Sequence, residues 1–518
     1  MKAIPVDVQA QLAPGLPAFH LVGLPDKAVA ESKERVRAAL YSMGLALPAK
    51  RITINLAPAD LRKEGSHYDL PIALVLMGAI GAQSPTLLDS FLAMGELALD
   101  GSLVPVGGGL AAALCASSHS RGLICSVKDG SEAAWAGSLP IVAAKSLLEV
   151  SNHLKGTHAI PSPRPRLHPK PAMTKDMSEI QGQDGAKRAL LLAAAGGHNM
   201  LMIGPPGVGK SMLAERLPGL LPPLTPAEAL EVTTIHSLGG QLKAGTLLQN
   251  RPFRAPHHSA SVAALVGGGL KAMPGEISLA HSGILFLDEL PEFGRAHLEA
   301  LRQPLESGLA VIARANQHVT YPADFQLVAA MNPCPCGQLG HPRLQCRKAP
   351  RCGETYQSKL SAPLLDRLDI QLHVENVTAA HLEKRTPSPS SEILQKKVAT
   401  AWIKQQKRHA SKDEELSTMF AVPDATDVNE SKQRGFFAFL NGRVPWSRLE
   451  PHLHVTTDAQ ALLKKASEQW ILSVRGHHKV LRLARTLADL EDSDTINKIH
   501  VAEALSYRAW SSRHRGAA

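Results

Sequence analysis

Residues 204–211 carry a glycine-rich pattern of the kind that binds phosphate. They fit G-x-x-x-x-G-K-[ST] at every position, follow an apolar run that predicts a buried strand, and precede a predicted helix. Backbone N–H groups in such a turn converge on phosphate oxygens, and the helix N-terminus adds partial positive charge. We expect Lys210 to bridge the β- and γ-phosphates of a nucleotide and Ser211 to ligate Mg²⁺. The predicted phosphate-binding segment, called the phosphate loop below, comprises Gly204, Pro205, Pro206, Gly207, Val208, Gly209, Lys210, Ser211 and Met212.

A second apolar run, 284–287, ends in two carboxylates, Asp288 and Glu289. Ligands of parallel sheets bind at the carboxyl ends of the strands, so both carboxylates are expected there. Asp288 would complete the Mg²⁺ shell, and Glu289 would polarise the water that attacks the γ-phosphate. The structural alternative is an acidic helix cap before Pro291.

Two further polar residues follow these motifs in the chain. Asn332 follows a third apolar run, 327–331, where its amide would position the attacking water. Arg367 lies in a short charged turn, and phosphoryl transfer often uses an arginine from a neighbouring subunit. Each residue alone is better explained by a structural role, but their order after the two phosphate motifs favours catalysis.

Four of the six cysteines crowd into 334–352. Cys334, Cys336, Cys346 and Cys352 suit a tetrahedral Zn²⁺ site that closes a loop, and we predict structural zinc there. The alternatives are His341 in place of one cysteine, unligated thiols, or redox pairing. The loop also carries four basic residues and no acidic one, so it is either a phosphate-backbone contact or a solvated face. These basic residues are Arg343, Arg347, Lys348 and Arg351.

The elements that must position these residues predict an α/β fold. Buried strands separated by helical stretches indicate a parallel sheet with helices on both faces. The proline-rich segment 161–171 predicts an extended linker, because five prolines in eleven residues exclude a helix or a central strand. We predict a first domain over 1–158, a linker over 159–175, an ATPase core over 176–378 with a four-cysteine insertion at 334–352, and a C-terminal helical lid over 379–518.

Charge and composition limit the class of protein. The chain has 518 residues, enough for several cores, and its six cysteines are too few for a disulfide framework. The net charge is +10, and residues 381–518 contribute +6 of it, with 22 Lys and Arg against 16 Asp and Glu. A basic surplus suits a polyanion partner. No membrane span or signal peptide is visible, which predicts a cytoplasmic protein.

With these residues assembled, the chain resembles the Mg-chelatase-like AAA+ ATPases of the ComM (YifB) type. The resemblance spans nearly the whole chain and is carried by the segments 204–211, 253–258, 274–281, 286–293, 332–337 and 364–367. It implies a P-loop AAA+ core, ATP with Mg²⁺, Asn332 as sensor 1, Arg367 as arginine finger and Arg475 as sensor 2. It also implies a homo-oligomeric ring, expected to be a hexamer, that acts as a helicase-like motor on branched or single-stranded DNA. The implied process is branch migration during DNA recombination in natural transformation.

The resemblance leaves several points open. Family members usually carry a further first strand before the position of Pro5, so either the start is misplaced or that strand is absent. The segment 311–316 is a candidate hairpin facing the pore of a ring, and His257 and His258 either line the same region or brace the core. The alternative function is a Mg-chelatase-type motor that drives metal insertion by a partner. A nucleotide-gated adaptor is a third hypothesis, disfavoured by Glu289.

The first domain resembles the protease domain of Lon, a ribosomal S5 domain 2-like fold. A Ser-Lys protease needs a lysine to take the proton of its serine. Ser66 is present but lies early in its loop, and Asp69 occupies about the expected nucleophile position. The segment expected to carry the lysine, 105–113, contains none. We therefore predict a domain without the protease dyad.

Overall fold

The chain forms two compact units. The computed structural model describes residues 3–165, 175–242, 246–269, 272–314, 317–339, 346, 348–376, 388–409, 436–470 and 472–508. Of these, the first unit contains 3–165, 229–242 and 246–248, and the second unit contains the rest. Among the described helices, none has the length and apolar composition needed to cross a bilayer.

The first unit is a mixed α and β structure. Its strands are β1 (Asp7–Ala13), β2 (Ala18–Val22), β3 (Arg51–Ala57), β4 (Phe91–Ala93), β5 (Glu96–Leu97), β6 (Leu103–Val104), β7 (Gly122–Ser126) and β8 (Ile141–Ala144). One sheet has the order β1-β3-β2, with β1 antiparallel and β2 parallel to β3. A second sheet has the order β4-β7-β8 and is parallel, and β5 pairs antiparallel with β6.

Six described α-helices lie wholly in the first unit. They are Lys27–Ser42, Asp69–Ala79, Pro85–Leu88, Gly109–Ser118, Val127–Ala133 and Leu147–Leu154. Asp26 caps the first of them by accepting a hydrogen bond from Val29 N, and Val36 and Leu40 lie on its buried side. The unit also holds the part of helix Pro226–Leu238 from residue 229 onward.

The second unit is built on a five-stranded parallel sheet, which confirms the α/β prediction. The strands are β9 (Met200–Ile203), β10 (Phe253–Arg254), β11 (Gly267–Gly268), β12 (Met273–Pro274), β13 (Ile284–Leu287), β14 (Leu309–Arg314), β15 (Gln317–Pro322), β16 (Gln326–Met331) and β17 (Ile370–His373). The parallel sheet has the order β10-β13-β16-β9-β17. Strands β14 and β15 form the antiparallel hairpin expected near 311–316, whose residues 315–316 lie outside the described structure.

Alternation along the strands divides the core of this unit between the two faces of the sheet. Met202, Phe286 and Val328 pack in one cluster, with side chains of the C-terminal helices such as Leu483. Leu201, Leu285, Leu287 and Leu327 pack in the other. Because both faces are covered, the strands read as continuous apolar runs rather than as polar–apolar alternations.

Helices flank this sheet and are described as far as residue 506. In chain order those of the second unit are Asp184–Gly196, Lys210–Arg216, Val262–Val266, Glu276–Leu279, Arg295–Ala300, Arg302–Ser307, Arg351–Gln357, Ala362–Leu365, Ser391–His409, Trp446–Leu449, Thr457–Trp470, Val474–Leu490 and Lys498–Ser506. The parallel strands end at a common edge, where the phosphate loop follows β9, Asp288 follows β13 and Asn332 follows β16.

Candidate active site

The phosphate loop has the open glycine geometry that phosphate binding requires. Gly207 and Gly209 have φ of +80° and +90°, and a Cβ built on either would meet no other protein atom within 4 Å. By contrast, a Cβ on Gly204 would lie 2.4 Å from the carbonyl oxygen of Val374. The first glycine therefore fits the loop closely against β17, and the later two leave backbone N–H groups free to face a ligand.

Lys210 is held at the centre of this loop. Its Nζ donates to the carbonyl oxygens of Gly204 and Pro205 at 2.7 and 2.8 Å, and to Asn332 Oδ1 at 3.1 Å. Burial lowers the pKa of the ammonium, although Asp288 and Glu289 act in the opposite direction. The predicted sensor residue and the phosphate-binding lysine are thus in direct contact, as neighbouring β9 and β16 require.

Ser211 and Asp288 meet at the predicted Mg²⁺ position. Ser211 Oγ donates to Asp288 Oδ2 at 2.7 Å, and Asp288 Oδ1 accepts a hydrogen bond from Glu289 N at 2.9 Å. A hydroxyl and a carboxylate oxygen are ligands that Mg²⁺ prefers, especially together with substrate phosphates. The donor set present at this edge therefore fits the ion expected with a nucleotide.

Glu289 adopts a conformation that is uncommon for its residue type. Its φ is +51°, in the left-handed region, and its side chain is half exposed. Its Oε2 lies 3.5 Å from His258 Nδ1, and the His258 ring contacts that of His257 at a tilt of 33°, with centroids 4.1 Å apart. A left-handed glutamate costs about 1–2 kcal/mol, a cost often found where a residue must face a ligand. From the sequence, the two histidines were expected either to line the pore of a ring or to brace the core. The structure places His258 beside Glu289, the carboxylate predicted to polarise water.

Arg367 and Arg475 form a second group. The Arg367 guanidinium donates to the carbonyl oxygen of Pro363 and pairs with Glu306. Burial lowers the pKa of Arg367, and the nearby cations Arg302 and Arg475 lower it further. Within the described residues, Arg367 makes its hydrogen bond and its ion pair with Pro363 and Glu306, and not with the phosphate loop. The structure thus links Arg475 to Arg367 through an electrostatic effect.

The four clustered cysteines lie directly beside the phosphate loop. The Sγ atoms of Cys334, Cys346 and Cys352 lie within 4.8 Å of one another, and Cys336 Sγ is 3.3 Å from Cys334 Sγ. A Cβ on Gly337 would lie 2.3 Å from Pro206 Cδ, so the cysteine turn packs against the loop. Three thiols in this arrangement suit a zinc ion, and the fourth is adjacent.

Part of the basic surface predicted around these cysteines can be placed. Lys348 and Arg351 are exposed, which leaves them free to contact a partner. Arg343 and Arg347, and the alternative ligand His341, lie outside the described residues. The remaining cysteines, Cys115 and Cys125, are buried in the first unit.

Three family models match in succession along the chain. Magnesium chelatase, subunit ChlI, matches residues 176–382; subunit ChlI of Mg-chelatase matches 8–129; and the ChlI C-terminal model matches 388–508. The chain is 41% identical over 509 residues to the uncharacterized protein YifB of Salmonella typhimurium, which covers 98% of this chain and 95% of the relative. It is also 41% identical over 511 residues to the competence protein ComM of Haemophilus influenzae, which covers 97% and 94%.

The chain belongs to the Mg-chelatase ChlI family and is of the YifB/ComM type. It is a ChlI-family AAA+ ATPase, a family that implies ATP with Mg²⁺, and the phosphate loop and its hydroxyl–carboxylate pair fit both. A magnesium-chelatase 67 kDa subunit of Chlorobaculum parvum is 29% identical over 162 residues, which covers 30% of this chain and 23% of that protein. The whole-length likeness is therefore to the YifB/ComM type.

The first unit of this ChlI-family chain gives Ser66 a carboxylate partner. Ser66 Oγ donates to Glu96, and Lys63 Nζ is buried and donates to the carbonyl oxygen of Pro58. Asp69 accepts two hydrogen bonds from the Arg35 guanidinium, at 2.6 and 3.0 Å. A carboxylate acceptor beside Ser66 is not the amine that a Ser-Lys protease needs.

Proposed function

We propose that this AAA+ ATPase works as a homo-oligomeric ring that couples ATP hydrolysis to movement of branched DNA during recombination in natural transformation. The proposed ATP hydrolysis is supported mainly by one arrangement of side chains. Lys210 contacts Asn332 and the adjacent Ser211 contacts Asp288, so the four groups of the predicted phosphate site meet at one edge of the sheet. The DNA half is supported by the whole-length similarity to the competence protein ComM.

Each residue at the sheet edge has a part in the proposed hydrolysis. The phosphate loop and Lys210 hold the phosphate oxygens and neutralise their charge. Ser211 and Asp288 would hold Mg²⁺, which supplies charge neutralisation when bound. Glu289 then accepts a hydrogen bond from the attacking water, and Asn332, already in contact with Lys210, fixes that water beside the γ-phosphate.

Arg367 and Arg475 are proposed to serve the nucleotide of the neighbouring subunit. The positive charge of Arg475 acts on Arg367, so the two cations repel each other inside one subunit. A polyanionic target would relieve that repulsion. Mixing R367A subunits with E289Q subunits tests this role. Some interfaces then combine an intact water-polarising carboxylate with an intact arginine, so hydrolysis is expected to recover above that of either variant. Exchange of subunits without any recovery would contradict the trans role.

The experiment that tests the hydrolytic site uses E289Q and K210A, with E292Q as a matched control. Glu292 is three residues away, also partly exposed, and pairs with Lys359 at 3.6 Å. E289Q should bind ATP normally and lose turnover, while K210A should bind ATP weakly, because only the second removes a phosphate contact. E292Q should retain both. Near-normal turnover by E289Q would rule out the role of Glu289.

The experiment that tests the DNA half measures binding and branch-point movement on a synthetic four-way junction. Phosphate contacts predict that binding weakens steeply with salt and depends little on base sequence. Neutralising the basic residues of the cysteine loop, Arg343, Arg347, Lys348 and Arg351, should lower DNA affinity and its salt slope but spare basal ATPase. A control neutralises the exposed residues Lys27, Lys33, Arg37 and Lys50 of the first unit. A protein that hydrolyses ATP but neither binds nor moves the junction would instead favour a chelatase-type motor.

We further propose that Cys334, Cys336, Cys346 and Cys352 hold one structural Zn²⁺. Thiolates at tetrahedral spacing bind zinc strongly, and the metal would fix the turn that packs on Pro206. Metal analysis of the purified protein should find about one zinc per chain. A metal-free and fully active preparation would refute this site.

A further inference from the structure

A buried ion pair joins the turn that carries Arg367 to the long C-terminal helix Val474–Leu490. Lys479 Nζ lies 2.9 Å from Asp369 Oδ1, with side chains only 14% and 10% exposed. The same ammonium donates to the carbonyl oxygen of Asp366. One lysine of the helix therefore holds the turn on both sides of Arg367.

The second oxygen of Asp369 extends this connection. Asp369 Oδ2 lies 3.3 Å from Nδ1 of the buried His198, whose Nε2 lies 2.9 Å from Thr486 Oγ1 in the same helix. Burial disfavours the Asp369 carboxylate, yet the Lys479 ammonium and the His198 ring hold its pKa below the ordinary value. The carboxylate is thus charged and fastened to the helix at two points that are seven residues, or about two turns, apart.

Backbone contacts fix the turn to the sheet edge independently of this pair. Asn199 Nδ2 donates to the carbonyl oxygen of Arg367 at 3.1 Å, and Asp369 N donates to that of Asn199 at 2.9 Å. Arg508 donates to the carbonyl oxygens of Leu368 and Asp369. Loss of the ion pair would therefore leave the turn in the fold but free its position relative to the helix.

The helix carries both Lys479 and the predicted sensor Arg475. Residues four apart share one face of a helix, so Lys479, which binds the turn, lies directly beside Arg475. The charge of Arg475 also acts on Arg367 and contributes to lowering its pKa. A shift of the helix would therefore move Arg475 relative to Arg367 and its turn.

We infer that Lys479 is a positioning residue that, through Asp369, holds Arg367 and Arg475 in one fixed arrangement toward the nucleotide of the neighbouring subunit. The inference rests on the trans role proposed above. Stability alone explains the pair poorly, because a buried ion pair is often replaced by apolar side chains at little cost. Fixed geometry explains it better, since displacing a catalytic group by about 1 Å can cost roughly 100-fold in rate.

The test uses rings mixed from two kinds of subunit. D369N/K479M removes both charges, so neither is left buried without a partner. Alone, this variant should bind ATP normally and turn over roughly 10- to 100-fold more slowly. Mixed with E289Q subunits, which present intact arginines, its nucleotide sites should regain hydrolysis. Mixed with R367A subunits, it should recover nothing, because neither partner then presents a well-placed arginine to a working site.

The controls separate this inference from the proposed function. If E289Q mixed with R367A recovers no hydrolysis, the trans role fails and the inference fails with it. If that mixture recovers hydrolysis, the inference alone is overturned by either of two results: D369N/K479M turns over normally by itself, or it restores hydrolysis when mixed with R367A. Recovery with R367A subunits but not with E289Q subunits would mean that the ion pair acts on the nucleotide site of its own subunit, which also overturns the inference. K404M, which removes the exposed pair of Lys404 with Asp492, should behave as wild type.

Discussion

Replacing Gly337 by alanine tests whether the cysteine turn supports the phosphate loop. A Cβ at this position would lie 2.3 Å from Pro206 Cδ and 3.1 Å from Pro206 Cγ. Ordinary contacts of this kind begin at 3.4 Å, so either Pro206 or the turn must move by about 1 Å. We expect G337A to displace the loop that binds ATP while leaving the four thiols in place.

The expected loss of affinity follows from the packing. Forcing one methyl group into a filled space costs about 1–3 kcal/mol. If the phosphate loop absorbs about half of that, the dissociation constant for ATP rises roughly two- to tenfold, since about 1.4 kcal/mol corresponds to a factor of ten. Titration with a fluorescent ATP analogue measures this change, and zinc content and thermal unfolding are measured on the same sample.

The control substitution needs the same unfavourable positive φ but no steric clash with a neighbouring residue. Gly337 has φ of +73°, where alanine costs about 1–2 kcal/mol whatever the space around it. Gly44 has φ of +76° and would place a Cβ with no other atom within 4 Å. G44A should therefore lose stability but keep its ATP affinity. Unchanged ATP affinity in G337A at full zinc content would refute the support role.

Three further changes test other parts of the structure. C346S should lose the bound zinc and weaken turnover, since it loosens the loop next to Asn332; full zinc content in C346S would contradict the assignment. R251M should destabilise the second unit by about 3–5 kcal/mol, because it strands the buried Glu228 carboxylate that Arg251 binds with two nitrogens at 3.1 Å; a loss below about 1 kcal/mol would contradict this. Burial lowers the pKa of His409 to about 4, so the unfolded state takes up a proton first as pH falls. Stability should therefore drop by up to about 3 kcal/mol between pH 6.5 and 4, and H409F should remove part of that slope.

The sequence predicted the sheet and its phosphate edge because those features are local. Strands β9 and β13 are continuous apolar runs, β16 is apolar after its first residue, and the phosphate loop, Asp288 and Asn332 follow their ends. The apolar run before the phosphate loop is strand β9, which begins at Met200. His198, which precedes this strand, makes buried contacts with Asp369 and Thr486 that no local pattern reveals.

The contacts that sequence reasoning missed all join residues that are distant in the chain. His258 beside Glu289 was one of two histidines without an assigned role, and only the pairing of β10 with β13 brings the two segments together. Lys479 and Asp369 lie outside every recognised motif, although Lys479 is one helical turn beyond Arg475. That spacing was the available signal, because a cation one turn from a predicted catalytic arginine is placed to act on the same neighbourhood.

The proposed function divides the catalytic groups between two subunits, and the fold supports that division. The phosphate loop, Asp288, Glu289 and Asn332 depend on the sheet edge, where strand order fixes their distances. Arg367 and Arg475 depend instead on the join between a turn and the C-terminal helix, which the buried Lys479–Asp369 pair holds. Movement of that helix would therefore change what a subunit presents to its neighbour while leaving its own phosphate contacts intact. A ring built in this way can pass the state of one nucleotide site to the next, which is what coupling hydrolysis to directed movement on DNA requires.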